Sequence, residues 1–356
     1  MVESIRDHTP RLPVTITDVA RHAGVAPSTV SYVLTGRRTI SAETRERVEL
    51  SIQALGYRPH AGARALRSSR TGIIGLVMPF RSGGREDEAM AVVEGVLHGA
   101  RDHEMNVLLL TADRGAEEIE HVVAGSMVDG LILMQIGLHD VRVPFIERMS
   151  RPAVLIGKPD DATALPYVEF DFEGAGRLCA EYLLDEGHRG IAFLGRRSIS
   201  YERQEGYAMR ARNGASSALE AVGRRLASEP CEPTAEGVDQ AVARLFEVDD
   251  APTGLIVHNG VALIFLSQAL RRIGLKLGTD VSAVAICADE HAMLVSPPVS
   301  NVGVPEYELG THAVELLAAQ LDDAAASRET WLPASLTVRD GEEAINSGAG
   351  DGGGAS

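Results

Sequence analysis

Between residues 14 and 56 the apolar positions recur at three- and four-residue spacing in three short blocks: Val19, Ala20 and Ala23, then Val30, Val33 and Leu34, then Val48, Ile52 and Leu55. That period predicts three amphipathic helices. Thr15, three residues ahead of Asp18, has the form of a capping box. Gly24 can take the positive φ of a tight turn, Pro27 suits the first position of the second helix, and Ser41 is placed to cap the third. Three helices with a glycine turn between the first pair predict a helix-turn-helix.

The texture changes at residue 71. Continuous apolar runs, "GIIGLVMP", "NVLLLTA", "DGLILMQ" and "PAVLIGKP", alternate with helical stretches at 86–103, 115–126 and 139–149. The rhythm returns at "GIAFLG" (190–195), "TGLIVHN" (253–259) and "VSAVAICA" (281–288). Strands that are apolar on both faces and separated by helices predict parallel sheets covered on both sides. Seven or more of them predict two doubly wound units, with ligands at the carboxyl ends of the strands. The tail "NSGAGDGGGAS" is Gly/Ser-rich and reads as disordered.

Composition adds a polarity along the chain. The 356 residues, 45% hydrophobic, are too many for one ordinary core. No run of eighteen uncharged apolar residues offers a membrane span. The opening "MVESIRDHTPRLP" lacks the apolar stretch of a secretory signal, so the cytoplasm is the expected location. Cys179, Cys231 and Cys287 are odd in number and widely spaced, which predicts reduced thiols rather than disulfides or a zinc site. The net charge is −16, yet residues 1–70 hold eleven Arg against six Asp and Glu, a balance of +5 that leaves −21 for residues 71–356. A small basic head on a large acidic body is the asymmetry of a DNA-binding module joined to a unit that does not bind DNA.

The second predicted helix turns Ser28, Thr29, Ser31 and Tyr32 away from its apolar stripe, and a helix end rich in small hydroxyls can enter a major groove. The stretch "VTITDVARHAGVAPSTVSYVLTG…TISAETRERVELSIQALGYRPHAGARAL" closely resembles the head of the lactose repressor (LacI/GalR) family of bacterial transcription regulators. "PTGLIVHNGVALIFLSQALRRIGLKLGTDVS" and "PPVSNVGVPEYELGTHAVELL" resemble that family's effector-binding body, so the likeness spans roughly residues 14–340. It implies a multidomain fold: an all-α helix-turn-helix head and an α/β body of two doubly wound parallel-sheet lobes, like a periplasmic binding protein. The spans expected are a flexible start at 1–13, the head at 14–57, a hinge at 58–70, one lobe at 71–160 with 292–322, the other at 161–291 with 323–340, and the tail at 341–356.

The resemblance also implies roles. Pro27, Ser28 and Tyr32 would read base edges. Thr15, Thr29, Ser31, Ser41 and Thr44 would contact phosphates, which set register without reading sequence. Tyr57, His60, Ala63 and Leu66 complete the implied DNA-binding set, with Leu66 a wedge between minor-groove base pairs on a helix that orders on DNA. In the body, "SYERQEGY" places Arg203 at the family's effector-gripping position. Phe80, Lys158, Asn259, Cys287 and Asp289 complete an effector set. Gly260, Cys287 and Gly157 stand where sugar-sensing members carry other residues, and Arg81, Arg85, Lys158 and Arg203 would suit an anionic ligand.

Enzyme signatures such as G-x-x-x-x-G-K-[ST], H-E-x-x-H and G-x-S-x-G are missing, and neither cofactor nor metal is expected. The reading that follows is a cytoplasmic, homodimeric transcriptional repressor that binds a pseudo-palindromic operator, with a tetramer open, controlled by a carbohydrate-like effector bound between the lobes. A solute-binding protein of the same body fold and a sugar-modifying enzyme are the alternatives from other classes.

Overall fold

The computed structural model describes residues 14–35, 38–57, 70–78, 87–111, 116–149, 151–248, 250–323 and 327–339. Two compact units divide between residues 71 and 72. The first contains α1 (Ile16–Ala23), α2 (Pro27–Thr35) and α3 (Ala42–Leu55). Thr15 and Asp18 form the reciprocal capping box, with the Thr15 backbone N–H donating to the Asp18 carboxylate at 2.9 Å and the Asp18 N–H donating to the Thr15 hydroxyl at 3.3 Å. Gly24 closes α1 at a φ of 65°, a left-handed conformation in which a side chain would be strained. Ser41 caps α3 by accepting from the Thr44 N–H.

The core of this unit is small: Val19, Ala20, Ala23, Val30, Val33, Val48 and Tyr57, with Ile52 and Leu55 packed around them. Leu34, expected in the apolar stripe of α2, is instead 37% exposed. Val30 and Val33 are the members of that stripe buried in the core.

The second unit holds two six-stranded sheets. The first, in the order β11-β5-β4-β3-β1-β2, is parallel throughout and comprises β1 (Ile73–Val77), β2 (Asn106–Leu110), β3 (Gly130–Leu133), β4 (Ala153–Ile156), β5 (Tyr167–Phe170) and β11 (Glu329–Leu332). The second, in the order β12-β10-β9-β8-β6-β7, comprises β6 (Ile191–Leu194), β7 (Ala227–Glu229), β8 (Gly254–Val257), β9 (Ser282–Ile286), β10 (Ser300–Val302) and β12 (Leu336–Thr337), and only β12 runs antiparallel to its neighbour. Most central strands are buried on both faces, the condition that requires helices on each side.

Strand membership departs from the expected lobe spans. Residues 161–170, assigned to the second lobe, supply β5 to the first sheet, where Tyr167 registers with Leu155. Residues 292–322, assigned to the first lobe, begin with β10, which pairs with β9 in the second sheet. The 323–340 segment serves both, through β11 and β12. The chain therefore crosses between sheets three times, and strand periodicity, identical in either sheet, carries no mark of which one a segment joins.

Helices cover both sheets. Around the first lie α4 (Asp87–Asp102), α5 (Ala116–Ala124), α6 (Arg142–Arg148) and α13 (Glu306–Leu321); around the second lie α7 (Phe172–Asp185), α8 (Ser198–Glu202), α9 (Gly206–Ala221), α10 (Ala235–Phe246), α11 (Gly260–Arg272) and α12 (Asp289–Leu294). Two helix pairs, α4 with α13 and α7 with α9, approach at backbone distance. A Cβ on Gly95 would lie 2.0 Å from the Tyr307 carbonyl oxygen, and one on Gly176 would lie 1.9 Å from that of Ala211. No helix among the described residues is long and apolar enough to cross a membrane.

Candidate functional site

The head presents one polar surface. Pro27 and Ser28 are exposed at the start of α2, with Thr29, Ser31 and Tyr32 partly exposed behind them. The helix turns this way because Val30 and Val33 are drawn into the core and the 3.6-residue period then points the hydroxyls outward. The Arg38 guanidinium sits 5.8 Å from the Tyr32 ring centroid, adding a cation beside the same surface. Thr15, Ser41 and Thr44 stand at the starts of α1 and α3, where unpaired N–H groups and the helix dipole favour a phosphate. Tyr57 is different. Its ring is 6% exposed and belongs to the core, which sets it apart from the DNA-facing group in which it was expected. His60, Ala63 and Leu66 lie outside the described residues.

In the body, a cleft of about 130 Å³ opens at the carboxyl ends of the strands of both sheets. The first sheet gives it Met134, Gln135, Ile156, Gly157 and Glu169; the second gives Arg196, His258 and Cys287; Glu306 enters from the first turn of α13. Its aromatic wall is built from Phe172 and Tyr207, whose ring centroids are 5.9 Å apart, with His258 5.8 Å from Phe172 and 6.1 Å from Tyr207. The Arg196 guanidinium lies 5.3 Å from the Tyr207 ring centroid. Burial pushes the Tyr207 phenol above its ordinary range, and its hydroxyl donates to Glu205 at 2.7 Å. The ring is thus a neutral surface against which a ligand can pack.

Two buried ionisable groups set the electrostatics. His258 is 2% exposed, and burial together with the positive charge of Arg196 holds its pKa well below 6.5. Its imidazole is neutral at physiological pH, and its Nδ1 is buried without a hydrogen-bond partner among the described residues. Glu169, also 2% exposed, is raised by burial to about 7 against the opposing pull of Arg210 and Lys158. The Lys158 backbone N–H donates to its Oε2, and Arg210 Nη1 lies 3.5 Å from the same atom.

Arg210 belongs to α9, on the second sheet, so this contact joins the lobes. Its Nη2 also reaches Asp160 at 2.8 Å. Backbone bonds reinforce the crossing: Gly206 N–H donates to the Ile136 carbonyl at 2.9 Å and Leu138 N–H to the Gln204 carbonyl at 2.8 Å. Both loops that carry these bonds end in residues lining the cleft, so its walls and its closure share one set of contacts.

Of the effector residues expected from sequence that are among the described residues, Cys287 alone is brought into the cleft wall. The Lys158 ammonium lies over the rings of Tyr167 and Trp331, at 5.8 and 5.5 Å. Arg203 is exposed at the end of α8. Asn259 caps α11, accepting from Ala262 N–H at 3.1 Å while donating to the Cys231 carbonyl at 3.2 Å, so both ends of its amide are engaged. Asp289 accepts from Asn301 and Arg339. Phe80, Arg81 and Arg85 lie outside the described residues. Among the described lining groups are two acidic side chains, Glu169 and Glu306, and one guanidinium, that of Arg196, while Lys158 and Arg203, two of the four cations expected to suit an anionic ligand, do not line the cleft. Arg196 and His258 follow directly after "GIAFLG" and within "TGLIVHN", so the rule that ligands sit at strand carboxyl ends could have found them. Glu169 sits inside an apolar strand and gave no such signal.

Comparison with known proteins agrees with both units. Residues 15–60 match the family of bacterial regulatory proteins called lacI, and residues 180–341 match the periplasmic binding protein-like domain. The chain is 28% identical to catabolite control protein A of Priestia megaterium over 87% of this chain and 93% of that one. It is 26% identical to the transcriptional repressor PurR of Vibrio vulnificus over 93% and 99% of the two chains. A solved lac repressor dimer bound to operator and the anti-inducer ONPF superposes with a TM-score of 0.80 at 26% identity, covering 92% of this chain and 98% of that one. Head, two-lobed body and relatives matched along nearly their whole length agree: this chain belongs to the lacI family of bacterial transcriptional regulators.

Proposed function

We propose that the protein is a cytoplasmic, homodimeric repressor whose affinity for a pseudo-palindromic operator is set by a small uncharged, hydroxyl-rich effector held in the cleft between the lobes. The observation that carries this reading is the cleft itself: a neutral His258 whose Nδ1 has no hydrogen-bond partner among the described residues, a guanidinium and two acidic side chains arranged on an aromatic wall, in a chain that also bears a helix-turn-helix. Acidic side chains accept from ligand hydroxyls, Arg196 donates, and Phe172 and Tyr207 offer a ring-sized apolar face; such a set suits binding. The lac repressor, solved with ONPF and with ONPG, supports a small-molecule ligand for a protein of this fold. For the head, Pro27, Ser28 and Tyr32 read base edges while Thr15, Thr29, Ser31, Ser41 and Thr44 hold phosphates. A second copy would cover exposed apolar side chains such as Met90 and Leu97 on α4 and Met293 and Leu294 on α12.

The effector closes the lobes and biases the head, and by linkage operator and effector change each other's affinity by the same factor. The test begins with an operator selected from random duplexes and an effector found by thermal shift over neutral sugars and polyols. Arg196→Ala should keep operator affinity and weaken effector response about tenfold or more, the scale of one charged hydrogen bond, whereas Arg203→Ala should respond as the wild type does. Normal response in Arg196→Ala, or its loss in Arg203→Ala, would overturn the assignment of the cleft wall.

A further inference from the structure

A second cavity, of about 400 Å³, lies at the opposite end of the second sheet, where β6, β7 and β8 begin. Among the described residues, Arg189, Arg224, Arg225 and Arg244 line it against two carboxylates, Glu229 and Asp250. The body's charge of −21 makes a concave surplus of positive charge here run against the background.

Part of the cluster has local work. Arg244 stands in the last turn of α10, where a cation complements the negative helix end, and its Nε donates to Glu229 at 2.9 Å. Arg224 donates to the Arg189 carbonyl. Arg189 and Arg225 are not accounted for in this way. Each lies four residues past the end of its helix, α7 or α9, beyond the last turn in which the dipole acts. Both are exposed, and neither side chain has a partner among the described residues. Guanidinium groups gathered in a concavity repel one another, and an anion seated among them removes that cost while filling their fork-shaped donor sets.

We propose that this pocket binds a phosphomonoester of metabolite size, at a site separate from the interlobe cleft. A phosphomonoester carries a charge of about −1.5 to −2 at neutral pH, which matches the surplus of four guanidinium groups over two carboxylates. The volume falls in the range of small-molecule pockets, about 300–1,000 Å³, and leaves room for the esterified group beside the phosphate. Arg189 and Arg225 supply the free donors, and Arg224 and Arg244 complete the positive wall.

The full chain would be titrated calorimetrically with ribose 5-phosphate, inorganic phosphate and ribose at constant ionic strength. Saturable binding of ribose 5-phosphate is expected, tighter than inorganic phosphate, and excess ribose should not displace it. Arg225→Ala should weaken it about tenfold or more, Arg189→Glu with Arg225→Glu should abolish it, and Arg196→Ala in the cleft should leave it unchanged. Both arginines are exposed, so the variants should keep the wild-type melting temperature; if the double reversal does not fold, Arg225→Ala alone decides. The proposal is overturned if neither phosphate binds saturably, if inorganic phosphate binds as tightly as the ester, if binding survives Arg225→Ala at full strength, or if Arg196→Ala removes it.

Discussion

Glu169 stands between Val168 and Phe170 on a strand with no exposed face, and its carboxyl is an ionisable group for which burial is costly. Its pKa is about 7 in the folded protein against an ordinary 4.5, so the fold favours the protonated form. A group raised in this way contributes stability below its unfolded pKa, and the contribution is lost as pH rises through 7. A shift of this size corresponds to a few kcal/mol, about 1.4 per pH unit between 4.5 and 7. Glu169→Gln keeps the shape and removes the ionisation. The variant should melt higher than the wild type at pH 8 and nearly level with it at pH 5, as followed by calorimetry. A wild-type advantage at pH 8 would show instead that the contact with Arg210 outweighs the cost of burial.

At the scale of elements, the two helix pairs that flank the sheets are held at backbone distance by single hydrogens. Gly176 of α7 faces the Ala211 carbonyl of α9, and Gly214 of α9 faces that of Glu173, so each helix carries a glycine into the other. Replacing Gly176 by Ala sets two effects against each other. Helix propensity favours Ala by about 1 kcal/mol, while overpacking typically costs about 1–3 kcal/mol, and more where the obstacle is a carbonyl that cannot rotate away. The second effect wins. Gly176→Ala should lose about 2 kcal/mol in denaturant unfolding, and a gain in stability would mean that α7 and α9 separate freely. Because α9 also carries Arg210 to Asp160 and Glu169, the same variant should weaken effector binding.

For the whole molecule, charge is distributed so that only one part can approach DNA. The first 70 residues hold the +5 balance and the remaining 286 carry −21, so non-specific attraction must come from the head. A protein that neutralises six to ten phosphates loses about 10³–10⁵ in affinity between 50 and 200 mM salt. A dimer bearing two such heads should fall at least about 10³-fold over that interval, measured by fluorescence anisotropy on the selected operator. An affinity flat across that range would remove DNA as the partner of the head, whatever the fold.

Sequence alone determined the features that rest on neighbours along the chain. The capping box at Thr15, the turn at Gly24, the cap at Ser41 and seven body strands could be read because a cap or an apolar run is a local matter of hydrogen bonding and solvation. The family likeness was legible for the same reason, its motifs being short and unbroken. Two things were decided only in three dimensions. One was the sheet joined by residues 167–170, 300–302 and 329–332, since a buried parallel strand looks alike wherever it pairs. The other was the cleft wall. Glu169, Arg196, His258 and Glu306 come from positions up to 137 residues apart and meet because parallel strands and the helices between them return every carboxyl end to one edge. Lys158, Arg203 and Asn259 lie near that edge in sequence, yet a ring stack, solvent and a helix cap take their side chains, and such competition among partners is settled only by packing.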